Sequence, residues 1–198
     1  MTRSGLVTNV VLVGGRALRL PQKLSLDVGG QPMLARVISN VTAGGRPCVI
    51  SSRGPLDGVT GWPVALDEYE DGGPLGGIAA AAALVRTPLF FAVAGDMPNI
   101  TARFIDELEE HYRTIAAEGR AAQAVLPTWP DGKVEPLAAL YDARAFLDGA
   151  TAALRAGKRK VTAALEGLLI VAHPVTAADE WTLMNVNTAQ DYARLENA

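Results

Sequence analysis

An intramolecular disulfide is excluded in this 198-residue chain, because it has one cysteine, Cys48, in the apolar run 47–50. A lone thiol in such a run reads as buried and structural rather than reactive. Histidine is nearly as scarce: only His111 and His173 are present, and both read as structural or surface residues. That leaves little material for a Ser/His/Asp or Cys/His catalytic set. Neither sign of charge dominates, with 18 Lys and Arg against 21 Asp and Glu and a formal net charge of −3. No basic stretch is dense enough for a nucleic-acid surface, and mild acidity opposes attraction to anionic lipid. No apolar run reaches the ~20 residues a membrane helix requires. Residues 1–9 lack the apolar core and cleavage site of a signal peptide. The expectation is a cytoplasmic protein that binds neither nucleic acid nor membrane.

What is present is core-forming material: 49% of residues are apolar and 20% are charged. The length fits a single domain over residues 1–198. Apolar runs bounded by turn residues read as strands at 7–13, 47–51, 62–66, 88–94, 121–126, 134–141, 168–172 and 183–186. Helical spacing marks 32–42, 102–117 behind the N-cap Thr101, 143–156, and a last helix from Thr188 to Glu196. The glycine-rich stretch 72–77 reads as a tight turn feeding an Ala-rich helix at 78–86. Strands alternating with helices indicate an α/β, three-layer Rossmann-like fold, with a mostly parallel sheet and helices on both faces.

In such sheets ligands bind beyond the carboxyl ends of the strands. Four segments there carry chemistry. In 12–23, Gly14 and Gly15 let backbone N–H groups approach an anion, and Arg16, Arg19 and Lys23 add positive charge suited to a triphosphate. The spacing is neither a GxxxxGK phosphate loop nor a GxGxxG dinucleotide fingerprint, and a solvated basic turn fits the same residues. Asp96 follows the strand 88–94 at Gly95, where a carboxylate can hold Mg2+ or cap a turn before Pro98. Asp67 precedes Gly73-Pro74-Leu75-Gly76-Gly77, which either brings backbone close to a ligand or is simply sharp. In Asn185-Val186-Asn187-Thr188 the two amides share a side if extended; helix capping explains Asn187-Thr188 equally.

Taken in order, these segments resemble the molybdenum cofactor guanylyltransferases, the MobA-type branch of the Rossmann-like nucleotidyltransferases. That family's patterns L-A-G-G-x-S/A-x-R-M-G-x-D-K, G-P-L-x-G, C/G-D-x-P and N-V-N-T-x-x-D/E are matched at 12–23, 73–77, 95–98 and 185–191. Gly30-Gln31-Pro32-Met33-Leu34 and the strand at 135–141 extend the likeness over essentially the whole chain. The resemblance implies transfer of GMP from GTP to the terminal phosphate of molybdopterin, dependent on Mg2+. It implies that Leu12, Val13, Gly14 and Gly15 meet the nucleotide through backbone. Ser51, Asp67, Gly73, Pro74, Leu75 and Gly76 fall at nucleotide-binding positions. Arg19 and Lys23 would face the phosphates, Asp96 would bind the metal, and Asn185 and Asn187 would lie near the metal or the pterin phosphate. Transient contact with molybdoenzymes or cofactor chaperones would follow.

The chain departs from the family pattern in its phosphate loop, Arg19-Leu20-Pro21-Gln22-Lys23. That loop lacks Met-Gly after the arginine and is at least one residue shorter. Val13 replaces the usual Ala, and Ser51 stands where Asn is common. A molybdenum cofactor cytidylyltransferase, a sugar-phosphate nucleotidyltransferase and a non-catalytic cofactor-binding paralogue remain alternatives at this point.

Overall fold

The computed structural model describes residues 6–14, 23–54, 56, 60–67, 69 and 72–196. Near the middle of its sheet lies β1 (Val7–Val13), whose apolar side chains are almost all buried, on both faces. It pairs in parallel with β2 (Cys48–Ser52) on one side and β4 (Leu89–Ala94) on the other. The short β3 (Val64–Leu66) extends the sheet beyond β2, also in parallel. On the far side lie β6 (Ala138–Asp142), β5 (Ala124–Thr128) and β7 (Ile170–Pro174), completing the order β3-β2-β1-β4-β6-β5-β7.

The seven-stranded sheet is therefore mostly parallel, with β6 alone reversed against both of its neighbours. The cause is local. Between β5 and β6 the chain turns back through Trp129–Lys133, where Trp129 N–H donates to the Lys133 carbonyl at 2.8 Å. Such a short connection can join only antiparallel neighbours, because a parallel crossover needs a dozen or more residues.

Two layers of helices cover the sheet. Helices α1 (Met33–Thr42) and α3 (Ala102–Ala117) put Val37, Val41, Ile105 and Leu108 on one face, against Val11, Ile50, Phe91 and Val93. Helices α2 (Gly73–Ala82) and α4 (Ala143–Arg155) put Leu75, Ile78, Phe146 and Ala150 on the other, against Val10, Phe90 and Tyr141. The last helix, α5 (Ala189–Glu196), follows a small apolar cluster of Val28, Met33, Met184 and Val186. Within β1, Asn9 is fully buried toward α1, and its amide donates to the Val41 carbonyl at 2.8 Å. Among the described residues no helix is long and apolar enough to cross a membrane.

Several local expectations hold. Thr101 accepts from Phe104 N–H at 3.2 Å at the start of α3, and Thr188 accepts from Asp191 N–H at 3.1 Å. Cys48 is buried, and burial pushes its thiol up to about 12, which makes it inert at neutral pH. His111 and His173 meet across α3 and β7 with their Nδ1 atoms 3.1 Å apart. Burial, then the neighbouring His111, lowers the pKa of His173, which favours its neutral form in this contact.

Two expectations fail. The stretch Gly73–Gly77 is no separate turn: it forms the start of α2, and the helix stops at Ala82 rather than 86. Proline in the first helical turn costs nothing there. The glycine penalty is offset because larger side chains would not fit: a Cβ on Gly76 would lie 2.9 Å from Asp67 Oδ1, and one on Gly77 2.8 Å from Ser51 Oγ. The run 183–186 is no strand either. Leu183 N–H bonds back to Asp179, and Val186 N–H donates to the Asp96 carbonyl at 2.9 Å, so a loop rather than a strand is its partner.

Close helix packing also makes a stability prediction. A Cβ on Gly149 in α4 would fall 2.3 Å from the Ala164 carbonyl oxygen. Gly149→Ala should therefore destabilise by about 1–3 kcal/mol through overpacking, against a helix-propensity gain of about 1. Thermal unfolding should show a Tm several degrees lower; an unchanged Tm would mean that α4 lifts off the turn at no cost.

Candidate active site

A cavity of about 870 Å3 opens at the carboxyl ends of β1, β2, β3 and β4. Each strand delivers its last residues to it: Leu12, Val13 and Gly14 from β1, Ser51 to Arg53 from β2, Asp67 after β3, and Ala94 to Asp96 from β4. The start of α2 forms another wall through Gly73, Pro74 and Gly77. This is the crevice that parallel sheets offer to ligands.

The ends of β1 and β4 are drawn together at Gly95. Its N–H donates to the Leu12 carbonyl at 2.8 Å, and a Cβ there would sit 3.0 Å from that same oxygen. Glycine is what allows Asp96 to emerge next to the β1 loop. From α1, Arg36 Nε and Asn40 Nδ2 both donate to the Pro98 carbonyl, at 3.2 and 3.0 Å, and so hold the far side of the Asp96 loop.

Opposite Asp96 stands Lys23. Its ammonium donates to Asp96 Oδ2 in a short ion pair and to Asn187 Oδ1 at 2.9 Å. The Lys23 and Asp96 side chains are only 16% and 15% exposed. Asp96 Oδ1 is buried without a hydrogen-bond partner. A buried carboxylate oxygen left in that state costs free energy unless a ligand satisfies it. Among the described residues there is no cluster of three or more His, Cys, Asp or Glu, so a closed transition-metal site is not formed by them. One carboxylate with a spare oxygen does suit Mg2+, which takes one or two carboxylates and completes its shell with phosphate oxygens and water.

At the other end of the cavity Asp67 is 3% exposed in its side chain. Its Oδ1 accepts from Tyr69 N–H at 3.2 Å. Arg53 Nε stands 3.7 Å from Oδ2, too far for a hydrogen bond, and that guanidinium is 48% exposed.

The MobA-like NTP transferase domain matches residues 9–173 of this sequence. The chain belongs to that family. The probable molybdenum cofactor guanylyltransferase of Pyrococcus furiosus is 29% identical over 96% of this chain and 97% of its own length. The protein of the same name from Methanosarcina mazei is 30% identical over 95% of this chain and 88% of its own. The crystal structure of molybdopterin-guanine dinucleotide biosynthesis protein A from Archaeoglobus fulgidus superposes with a TM-score of 0.78. It has 24% identity and covers 96% of this chain and 97% of that one.

In this MobA-like chain the fold gathers residues from both ends of the sequence. Leu12, Val13, Gly14, Lys23, Ser51, Asp67, Gly73, Pro74, Asp96, Asn185 and Asn187 all line the cavity. Gly14 has open space where a Cβ would stand, with no described atom within 4 Å. Leu75 does not line it: this side chain is fully buried in the α2/α4 core, because it falls on the helix face turned to the sheet. Gly76 does not line it either, since its missing side chain makes room for Asp67. Gly15 and Arg19 lie outside the described residues. Gly77, the last residue of the glycine-rich motif, lines the cavity too, as do Ser52, Arg53 and Leu137, which no motif in the sequence singles out. Arg53 was within reach of the strand-end rule, since it directly follows β2; Leu137 carries no local signal.

Proposed function

We propose that this chain is a molybdenum cofactor guanylyltransferase: it transfers GMP from GTP to the terminal phosphate of molybdopterin and releases pyrophosphate. The observation that carries the reading is the Lys23–Asp96–Asn187 cluster beside an unpartnered carboxylate oxygen, in a cavity at the strand ends large enough for a nucleotide. The curated relatives that match nearly full length carry that name.

The chemistry asks for positioning and neutralisation more than for a protein nucleophile. An oxygen of the acceptor phosphate attacks the α-phosphorus of GTP in line. The bond from that phosphorus to the bridging oxygen breaks, and pyrophosphate departs with the electron pair. Lys23, with Arg19 by family resemblance, stabilises charge on the leaving pyrophosphate. Backbone at Val13 and Gly14 lies along the phosphates. Asp96 is the residue to hold Mg2+, which when bound would neutralise phosphate charge and orient the α-phosphorus.

Base choice falls to Asp67. A carboxylate only accepts, and guanine presents two adjacent donors, N1–H and the 2-amino group. Cytosine presents one amino donor beside an acceptor nitrogen, which a carboxylate would repel. Asp67 therefore favours the guanylyl reading over the cytidylyl one.

Thermal unfolding with GTP or CTP, each with Mg2+, tests this. A ligand at about 100 times its Kd adds about 2.7 kcal/mol. A rise in Tm with GTP and little with CTP is expected, together with pyrophosphate release once molybdopterin is added. Stabilisation by CTP alone would sink the guanylyl assignment.

A further inference from the structure

Lys23 is engaged in a way that a purely phosphate-binding lysine would not be. The ammonium lies between Asp96 Oδ2 and Asn187 Oδ1, mostly shielded from solvent. It thereby takes one of the two oxygens that the Asp96 carboxylate can offer a cation, while the other, Oδ1, is buried and unsatisfied. Among the described residues Asp96 belongs to no cluster of three or more His, Cys, Asp or Glu, and the other carboxylate lining the cavity is Asp67, beside Ser51 and Gly77. An ammonium and a divalent cation on the same carboxylate repel each other strongly in so shielded a place.

The geometry points to Lys23 as a stand-in cation: it holds Asp96 in the nucleotide-free protein and blocks the divalent metal until a nucleotide's phosphates draw the ammonium away. This rests on the reading of the cavity as a nucleotide and metal site. Its consequence is that metal and nucleotide bind cooperatively, because the nucleotide removes the competing charge from Asp96 as well as adding phosphate oxygens. Coupling of this kind is reciprocal: the metal must tighten the nucleotide by the same factor. Asn187 releases its bond to Lys23 in the same step and becomes free to donate or accept at the acceptor end of the cavity. The device also keeps the carboxylate compensated between turnovers, since the ammonium and the metal alternate on it.

The experiment is Mn2+ titration of the full chain, followed by electron paramagnetic resonance, in wild type, Lys23→Met and Lys23→Arg. Wild type without nucleotide should bind Mn2+ weakly, and GTP should tighten it at least about 10-fold, a coupling within the usual range. Lys23→Met should bind Mn2+ without nucleotide at least about 10-fold more tightly than wild type, with the coupling to GTP shrinking toward unity. Lys23→Arg keeps the charge and should stay weak without nucleotide, which separates charge competition from any general loosening of the loop. Asp96→Asn should abolish the tight binding gained in Lys23→Met, which ties the signal to this carboxylate. If Lys23→Met binds free Mn2+ no better than wild type, the stand-in role is overturned. That nucleotide-free comparison does not depend on the substrate's identity. A failure of the guanylyl reading would show instead as coupling with CTP and none with GTP.

Discussion

Asp96→Asn is expected to lower kcat/KM for pyrophosphate release from GTP and molybdopterin by about 10³-fold, the scale seen when one preorganised charge-stabilising group is removed. The reason is the position of this carboxylate. Gly95 binds backbone to backbone with Leu12 at the end of β1, and the Asp96 carbonyl is tied to Val186 N–H. Arg36 and Asn40 hold Pro98 from α1. The side chain is thus delivered to a fixed point at the cavity with Oδ1 unpartnered. An amide in its place keeps the shape but brings half its surface as donor and no charge, so a metal held there loses its only strong protein ligand among the described residues. Stability should fall by only about 1–3 kcal/mol, because Lys23 loses one charge-assisted partner but keeps its bond to Asn187. Steady-state kinetics beside a melting curve separate the two effects. Turnover within tenfold of wild type would remove Asp96 from the reaction.

The second large effect is expected at the opposite wall. Asp67→Asn should reduce kcat/KM for GTP by about 10²–10³-fold, since two charge-assisted hydrogen bonds of about 1.5–3 kcal/mol each are weakened and the new amide donors face the guanine donors. The loss should fall mainly in KM, because the base is held equally before and during the chemistry. Discrimination between GTP and CTP should collapse toward unity. The fold should survive, since the amide oxygen still accepts from Tyr69 N–H and the new side chain keeps its size under the tight space left by Gly76. Unaltered preference for GTP would show that the base is read elsewhere, and Ser51, Ser52 and Arg53 would be the next residues to test.

Much of this was legible along the chain because it is set by neighbours in sequence. The seven-residue run of β1, the N-cap at Thr101, the amphipathic spacing of α1 and the Gly-Asp at the end of β4 are all local patterns. Periodicity of 2 or 3.6 and capping chemistry act over a few residues, and so they survive in a single sequence. With the strand-end rule of parallel sheets, they single out Gly14, Asp67 and Asp96 as residues that follow strands and so stand as ligand-site candidates.

Features that depend on a distant partner were set by the folded chain instead. A stretch rich in glycine reads as a turn until Asp67 and Ser51 press on it, and then it becomes the start of α2. An apolar run at 183–186 reads as a strand until its N–H finds the Asp96 carbonyl instead of a neighbouring strand. Leu75 sits inside a motif that touches the cavity, yet it points away because a helix turns each residue by about 100° and hands every third or fourth one to the core. Lys23 and Asp96 are 73 residues apart and Lys23 and Asn187 are 164 apart, and no local pattern can show that the three share one site. By itself the sequence determined the α/β class and which residue types stand at the ends of strands. The tertiary structure alone decided which of them meet, because packing and charge pairing act through space across loops whose closure no short stretch of sequence encodes.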